Sequence, residues 1–566
     1  MLFDGKTYTI QFWQGESLGN VLAIDTETTF TDFTETPDLI TFQVFDGESL
    51  FYVDRSQVHA FLNKHVTRTL VFANAPFDVD VIHKHVGSNI LKDQIEQGKV
   101  YDILIMYRLL NLATIGMVPN RYSLAHITKT LLDIGLDKEE SIRCNFEQYK
   151  EKNLSEIDKQ FLEYGAKDVL ATFYCFIRLR SEIAKTGSST MLSHHIQLLG
   201  ALALNFTYKN GIGFDEDKAQ VALQKIDSEM ATHHDALCMY GWVKGIKGNQ
   251  SAYNYVVEYL GLPLTKTDKG DYTMKESDLE PHKNEPFIHH YLQYKKLEKT
   301  SQFIRKLRGQ RVHPRYDILK NTGRTGCSSP NIQQLPRDGD IRSMFVAREG
   351  CKFIITDYNA IELSTLAQHV YTNFGSSVMR EKINDGEDLH KYYASVLFDV
   401  PIDQVEKWQR QAAKAANFGF PGGLGTQTFI EFAKGYDLDI DEDRAQQMKN
   451  TWFKAFPEMT DYMKGENGSV ETLTGRIRAN TTYCAEKNTP FQGLAADGAK
   501  IALYNLMDAG FTIVGFVHDE IITEVPENAL EEMRILQEQI MIDSMSIVVP
   551  DVKVGVESTI SKRYCK

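Results

Sequence analysis

The chain has 566 residues and a mass of 64.5 kDa, room for about three or four ordinary domains. It is 42% hydrophobic and 24% charged, with only 15 Pro and 38 Gly, which excludes a collagen, a disordered tail or a small disulfide scaffold. The net charge of -14 and pI near 5.7 weigh against a nucleic-acid partner as a sum, so the distribution of charge matters more than the total.

The start, MLFDGKTYTI, has neither the basic nor the apolar region of a signal peptide, and no apolar run approaches the length of a membrane span. The seven cysteines, Cys144, Cys175, Cys238, Cys327, Cys351, Cys484 and Cys565, are scattered without a CxxC. That pattern argues against structural zinc and suits the reducing cytoplasm.

In chain order, Val21 to Asp25 and Thr69 to Ala73 read as buried strands, and Leu154 to Glu182 as a helix, so the first ~185 residues form an α/β pattern. The small, polar run Ala184 to Thr190 marks a boundary. Met191 to about Lys306 is mostly helical. Two further strands, Lys352 to Asp357 and Phe511 to Val517, stand far apart with a long helical region between them. Lys295 to Arg348 carries thirteen Lys and Arg against four Asp and Glu, a solvated basic face or a local track for a polyanion.

VLAIDTETT sets Asp25 and Glu27 two apart at the end of a strand, where residues i and i+2 share a face. Asp78 follows the second apolar strand in FANAPFD. Tyr164 and Asp168, in EYGAKD, are four apart on one helix face. Four converging acids repel one another unless a cation neutralises them, and hard oxygen ligands suit Mg2+ or Mn2+. The ordered set IDTET, NAPFD and YGAKD resembles the three motifs of DEDD-type 3′→5′ exonucleases over roughly residues 15 to 180. The resemblance implies a ribonuclease-H-like fold, with Asp25, Glu27, Asp78 and Asp168 as metal-binding acids and Tyr164 orienting the attacking water.

A second set lies further on. DYNAIEL puts Asp357 after a strand, and GFVHDEI reads as a hairpin with His518, Asp519 and Glu520 at its tip. Taken alone, such a tip is also an ordinary polar turn. Asp357 and Asp519 are 162 residues apart, so only the fold can bring them together around a metal pair. In QRQAAKAANFGF, Arg410, Lys414 and Phe418 recur at i, i+4 and i+8, giving two cations and then a ring on one helix face, which suits a triphosphate followed by a sugar or base.

These residues resemble family A DNA polymerases. DYNAIE is similar to the family's first palm motif, RQAAKAANFG to its fingers helix and VHDE to its second palm motif. DLHK, NTGRTGCSSPNIQQLP (Asn321 to Pro336) and NTPFQGLAAD (Asn488 to Asp497) match further family stretches. The resemblance implies Asp357 and Asp519 as metal-binding aspartates with Glu520 beside them, and His390, Arg410 and Lys414 gripping the triphosphate. It further implies that Glu362 and Phe418 flank the sugar. Arg324, Asn331, Gln333, Asn488 and Gln492 would line the primer-template minor groove, with His518 near the primer end. Donors aimed at the purine N3 and pyrimidine O2 acceptors accept every correct base pair. One departure stands out: the family's tyrosine eight residues after the lysine is here Gly422, and Pro421 lacks the N–H that would continue the helix.

The fold expected is therefore an α/β exonuclease domain (1–188) followed by a right-hand α+β polymerase (189–566). Within the latter, the thumb would span about 215–308, the fingers about 376–474, and a discontinuous palm 189–214, 309–375 and 475–566. The N-terminal length leaves no room for a 5′-nuclease domain, and the thumb shows no long insertion for a processivity factor. This organisation resembles a bacteriophage replicase more than a bacterial repair enzyme. The cofactors expected are two Mg2+ per site, with Mn2+ as a substitute. The partners are primer-template DNA and dNTPs, with a phage helicase, primase and single-strand-binding protein in a replicative setting. The chain is expected to be a cytoplasmic monomer with no membrane contact. A single-subunit RNA polymerase and a nuclease with an inactive polymerase domain are the rival readings, and Glu362 and the attached exonuclease argue against the first.

Overall fold

A computed structural model describes residues 1–566 except 31, 33, 137–144, 187–189, 245–247, 267–273, 336–340, 466–467 and 566. Residues 187–189 of the expected domain boundary, Cys144 and Pro336 lie outside the described residues. The chain divides into two compact units. The larger comprises Met1–Asn210, Tyr316–Cys327 and Ile354–Ile560, and the smaller Gly211–Arg315, Ser328–Phe353 and Ser561–Lys566.

The N-terminal part of the larger unit is built on a six-stranded mixed sheet, in the order Ile10–Phe12, Leu50–Val53, Leu39–Phe45, Val21–Thr28, Thr69–Phe72 and Val100–Asp102. Val21–Thr28 runs antiparallel to Leu39–Phe45 and parallel to Thr69–Phe72. Leu39–Phe45 and Leu50–Val53 are buried at every residue, as strands covered on both faces must be. The two-residue period of Val21–Thr28 assigns its side chains to different helices. Leu22 and Ile24 share an apolar core with Val79 and Ile82 of the Ala75–Val86 helix. Ala23 shares another with Phe161, Ala166 and Leu170 of the Lys159–Ala184 helix. Asp25 and Glu27 continue the register of Ala23, and Thr26 continues that of Ile24.

The Lys159–Ala184 helix starts five residues later than the sequence suggests. Leu154–Glu156 is a separate 3-10 turn in which the Glu156 carboxylate takes the Asn153 N–H at 2.8 Å, and Ile157 is extended. The extended Ile157 separates that turn from the helix.

A second sheet has the strand order Thr512–Val517, Glu520–Pro526, Cys351–Tyr358 and Val556–Ser561. The first two form an antiparallel hairpin with Val517 opposite Glu520. Its tip is two residues, His518 and Asp519, rather than the expected three. His518 takes the left-handed conformation at φ 62 that closes the turn, and Glu520 is already a strand residue, only 5% exposed.

Between the two halves of this sheet lie the helices Ile361–Phe374, Leu389–Phe398, Lys407–Gly419, Glu442–Ala455 and Tyr483–Asp508, among others. Ala412, Ala413, Ala415 and Ala416 are buried, and their small side chains let the Lys407–Gly419 helix pack closely on Leu389–Phe398. The α-helix stops at Gly419, as Pro421 requires. A single 3-10 turn, Phe420–Gly422, follows, and Gly423 at φ 82 closes it with an N–H bond to the Phe420 carbonyl.

The smaller unit packs the Glu216–Cys238 and Pro286–Ile304 helices together around Leu237, Trp242, Phe287, Tyr291 and Tyr294. Asp215 caps the first helix through the Lys218 N–H at 2.9 Å and pairs with Arg563 at 2.6 Å. Among the described residues no helix is long and apolar enough to cross a membrane, and Cys175, Cys238, Cys327, Cys351, Cys484 and Cys565 form no disulfide.

Candidate active sites

In the N-terminal sheet, Asp25 and Glu27 lie on the face covered by the helix that carries Tyr164 and Asp168. Gly165 allows that helix to come close: a Cβ there would lie 2.6 Å from Gln43 Nε2 and 3.0 Å from the Tyr52 hydroxyl. Gln43, opposite Asp25 on the neighbouring strand, donates to Asp25 Oδ2 at 2.6 Å. Burial, together with the charges of Glu27, Asp78 and Asp168, pushes the Asp25 carboxyl well above the usual range, against the Gln43 bond. Asp78 sits in the first turn of its helix, where its Oδ1 accepts from both the N–H (3.0 Å) and the hydroxyl (2.7 Å) of Thr26. Burial raises Asp78 to about 7, with the Thr26 bonds opposing. Asp25 thus feels the other three acids, and Tyr164, buried one turn before Asp168, packs its ring 6.2 Å from Phe146.

In the second sheet, Asp357 is the penultimate residue of the Cys351–Tyr358 strand and Asp519 stands on the hairpin tip. Burial and then the charge of Asp357 push Asp519 up to about 7; Glu362 adds to this and Arg324 opposes it. Glu362, in the first turn of the Ile361–Phe374 helix, forms an ion pair with Arg324. The separation of 162 positions between the two aspartates is therefore closed by the fold. Glu520, by contrast, is buried in the strand that follows the tip, and His518 is exposed.

A cationic cluster forms on the Lys407–Gly419 helix. Arg410 Nε donates to Asp388 Oδ2 at 2.8 Å, while Asp388 Oδ1 caps the Leu389–Phe398 helix through the His390 N–H. Burial lowers His390 to about 4; Arg410 and Lys414 lower it further and Asp388 opposes. His390 is therefore neutral at physiological pH. Its tautomer follows from its neighbours. Trp452 Nε1, which can only donate, is 3.0 Å from Asn417 Oδ1, so Asn417 Nδ2 faces His390 Nδ1 at 3.1 Å and donates to it. The proton then sits on His390 Nε2, free of this network, as a neutral donor. The Phe418 ring lies 5.5 Å from that imidazole, so His390, Arg410, Lys414 and Phe418 come together.

Asn488 and Gln492 are one turn apart on the Tyr483–Asp508 helix, with Gln492 Nε2 3.4 Å from Asn488 Oδ1. Asn331 and Gln333 belong to the smaller unit, where Asn331 Oδ1 accepts the Gln333 N–H at 3.1 Å and Gln333 is buried. The sequence reading missed Gln43, Thr26, Asp388 and Asn417. Gln43 had a signal, as a polar residue in the apolar run LITFQVF, and Asp388 had one as a helix cap.

Among the described residues no group of three or more His, Cys, Asp or Glu side chains is arranged to hold a metal ion. What each site offers is hard carboxylate oxygens, with neighbouring charges close enough to raise Asp25 in the first site and Asp519 in the second. A divalent cation completed by substrate oxygens fits such a donor set.

Residues 220–566 match the family described as DNA polymerase family A. The chain belongs to that family. Residues 9–184 match the 3′-5′ exonuclease family, so this family A polymerase carries an exonuclease domain ahead of its polymerase domain, and members of both families generally use divalent metal ions. The chain is 28% identical to DNA polymerase I of Aquifex aeolicus (strain VF5) over 563 residues, 93% of each chain. It is 31% identical to the thermostable DNA polymerase I of Thermus filiformis and of Thermus aquaticus, over 52% of this chain but only 39% of each of those enzymes. Its fold is that of the POL domain of Pol1 from M. smegmatis, solved in complex with DNA primer-template and dNTP, with a TM-score of 0.77, 22% identity and coverage of 97% and 96%. Asp25, Asp78 and Asp168 fall inside the exonuclease match of this polymerase, and Asp357, Asp519 and the His390 cluster inside the polymerase match.

Proposed function

We propose that the chain extends a DNA primer with dNTPs on a DNA template and removes 3′-terminal nucleotides at a second, separate site. The observation that carries this reading is the pairing of Asp357 with Asp519, close enough for one charge to raise the other's pKa, beside Glu362 and Arg324.

In the polymerase site, Asp357 and Asp519 are the ligands for two Mg2+, with Mn2+ as a substitute. In the exonuclease site, Asp25, Glu27, Asp78 and Asp168 serve the same purpose. When bound, such ions lower the pKa of the attacking hydroxyl or water and neutralise charge on the departing oxygen. Arg410 and Lys414 hold the triphosphate as charge-assisted donors, and His390 adds one N–H without adding charge. Phe418 packs on the sugar, and Glu362 closes the space a 2′-hydroxyl would need. Arg324, Asn331, Gln333, Asn488 and Gln492 line the minor groove, His518 lies near the primer end, and Glu520 serves catalysis beside the two aspartates. Tyr164 orients the water for 3′-end cleavage.

The domain assignment is the one set out from the sequence, with thumb, fingers and palm inside 189–566. Replication of a bacteriophage genome by a monomer, alongside helicase, primase and single-strand-binding protein, completes the proposal. It rests on the direct joining of exonuclease and polymerase. A bacterial enzyme, the Aquifex DNA polymerase I, aligns with both parts over 93% of its length, so that joining is not peculiar to phages.

Primer extension with dNTPs against NTPs, with and without Mg2+, tests the reading. Mg2+-dependent extension with dNTPs supports it. A preference for NTPs would favour an RNA polymerase, and 3′-end degradation with no extension would favour a nuclease with an inactive polymerase domain.

A further inference from the structure

The fingers helix gives way at Pro421 to a tight turn whose glycines lie directly on the Tyr483–Asp508 helix. Gly422 is buried, and a Cβ on it would lie 2.8 Å from Asn488 Nδ2 and 2.9 Å from Asn488 Oδ1. Only a residue without a side chain leaves that carboxamide where it is. The space beside the turn is thus filled from the opposite helix.

The orientation of the Asn488 carboxamide is set by its partners. Nδ2 lies 3.1 Å from the Gly422 carbonyl oxygen and 2.8 Å from the Cys484 carbonyl oxygen. Backbone carbonyls only accept, so the nitrogen must face them, and a flipped amide would set oxygen against two oxygens. Both Nδ2 hydrogens are consumed. The remaining atom, Oδ1, faces Gln492 Nε2 at 3.4 Å. A minor-groove reader that accepts all four correct pairs must donate, because the shared features there are the purine N3 and pyrimidine O2 acceptors. Asn488 has no donor left to give. Gln492 keeps its second Nε2 hydrogen.

We propose that Asn488 is a positioning residue rather than a base reader: held by the Gly422 carbonyl, it orients Gln492, so that the tip of the fingers helix controls reading of the minor groove. The proposal rests on the reading of the chain as a DNA polymerase. It gives a function to the departure at Pro421 and Gly422, where a carbonyl–carboxamide bond stands in place of a side chain.

The experiment measures single-nucleotide incorporation efficiency on primer-templates carrying 3-deazaguanine, which lacks the N3 acceptor, at each position of the terminal pairs in turn. It compares wild type, Gln492→Ala, Asn488→Ala and Gly422→Ala, each checked for cooperative unfolding. Wild type should lose roughly tenfold at one position, the effect of one hydrogen bond. Gln492→Ala should be indifferent to the analogue at that position. Asn488→Ala and Gly422→Ala should each show a reduced penalty at that same position and no change of pattern elsewhere. A position where the analogue is silent only in Asn488→Ala would make Asn488 a reader and overturn the proposal. So would an undiminished penalty at the Gln492 position in folded Asn488→Ala, which also decides the case if Gly422→Ala does not fold. Failure of the polymerase reading looks different, because wild type would then not extend any primer.

Discussion

Arg324 forms an ion pair with Glu362, one turn beyond the loop that follows Asp357. The first residue is expected to touch the primer-template and the second to close off the 2′ side of the incoming sugar. The guanidinium holds the Glu362 carboxylate beside the aspartate pair. Both side chains are partly exposed, so the pair itself contributes little to stability, and its use is positional.

Removing the carboxylate should therefore change selectivity more than folding. Glu362→Ala is expected to raise the efficiency of ribonucleotide relative to deoxyribonucleotide incorporation by about tenfold or more, equivalent to ~1.4 kcal/mol. The check is the ratio of the two incorporation efficiencies. An unchanged ratio in a folded variant would remove Glu362 from the sugar pocket.

Phe418 offers a second test of the same pocket. It lies beside the neutral His390 and has no donor for a sugar or phosphate oxygen. Wild type should discriminate against dideoxynucleotides, which lack the 3′-hydroxyl needed to contact their own phosphates. Phe418→Tyr should relax this by about one to two orders of magnitude, the range of a charge-assisted bond of roughly 1.5–3 kcal/mol. Equal ratios in the two enzymes would reject this placement of the ring.

Much of this arrangement was readable because it follows periodicity. Asp25 and Glu27 share a strand face, Tyr164 and Asp168 a helix face, and Arg410, Lys414 and Phe418 a stripe. The early end of the fingers helix followed from the missing N–H of Pro421. What was not readable depends on tertiary neighbours. The bond from Gln43 to Asp25 requires strand register, the chain from Trp452 through Asn417 to His390 joins three helices, and the Asn488–Gly422 contact joins segments 66 residues apart. Glu520 was misplaced because a three-residue polar string does not reveal that His518 would adopt positive φ and close the turn in two.

The raised carboxyls predict how metal and pH act together. Asp78 and Asp519 keep their protons to about pH 7 in the metal-free fold, against about 4 in an unfolded chain. The folded state binds more protons between those values, so their contribution to stability is complete below about pH 4 and lost as pH rises through 7. Mg2+ should therefore raise the Tm more at pH 8 than at pH 5, by the equivalent of about 2.7 kcal/mol at a hundredfold excess over Kd. Asp519→Asn should raise the metal-free Tm at pH 8 and weaken the Mg2+ effect. Thermal melts with no response to Mg2+ at pH 8 would contradict the metal assignment.

Arg476 and Asp497 form a fully buried ion pair in which Arg476 Nη1 lies 2.6 and 2.8 Å from the two carboxylate oxygens, and Thr474 and Gln197 complete the carboxylate's bonds. Lys500 links Gln197 to the Gly323 carbonyl, next to Arg324, at 2.6 Å. Asp497→Ala leaves a buried cation unpaired and should cost about 3–5 kcal/mol, read by chemical denaturation. A loss below about 1 kcal/mol would show that water or another group satisfies Arg476.

The central claim is two separate active sites in one chain, and one paired assay tests it most directly. Purified wild type, the Asp25→Ala/Glu27→Ala double variant and Asp519→Ala are each given a single-stranded 3′ end and, separately, a primer-template with dNTPs and Mg2+. The double variant should lose degradation and keep extension, and Asp519→Ala should lose extension and keep degradation. Loss of both activities in either folded variant would contradict the account.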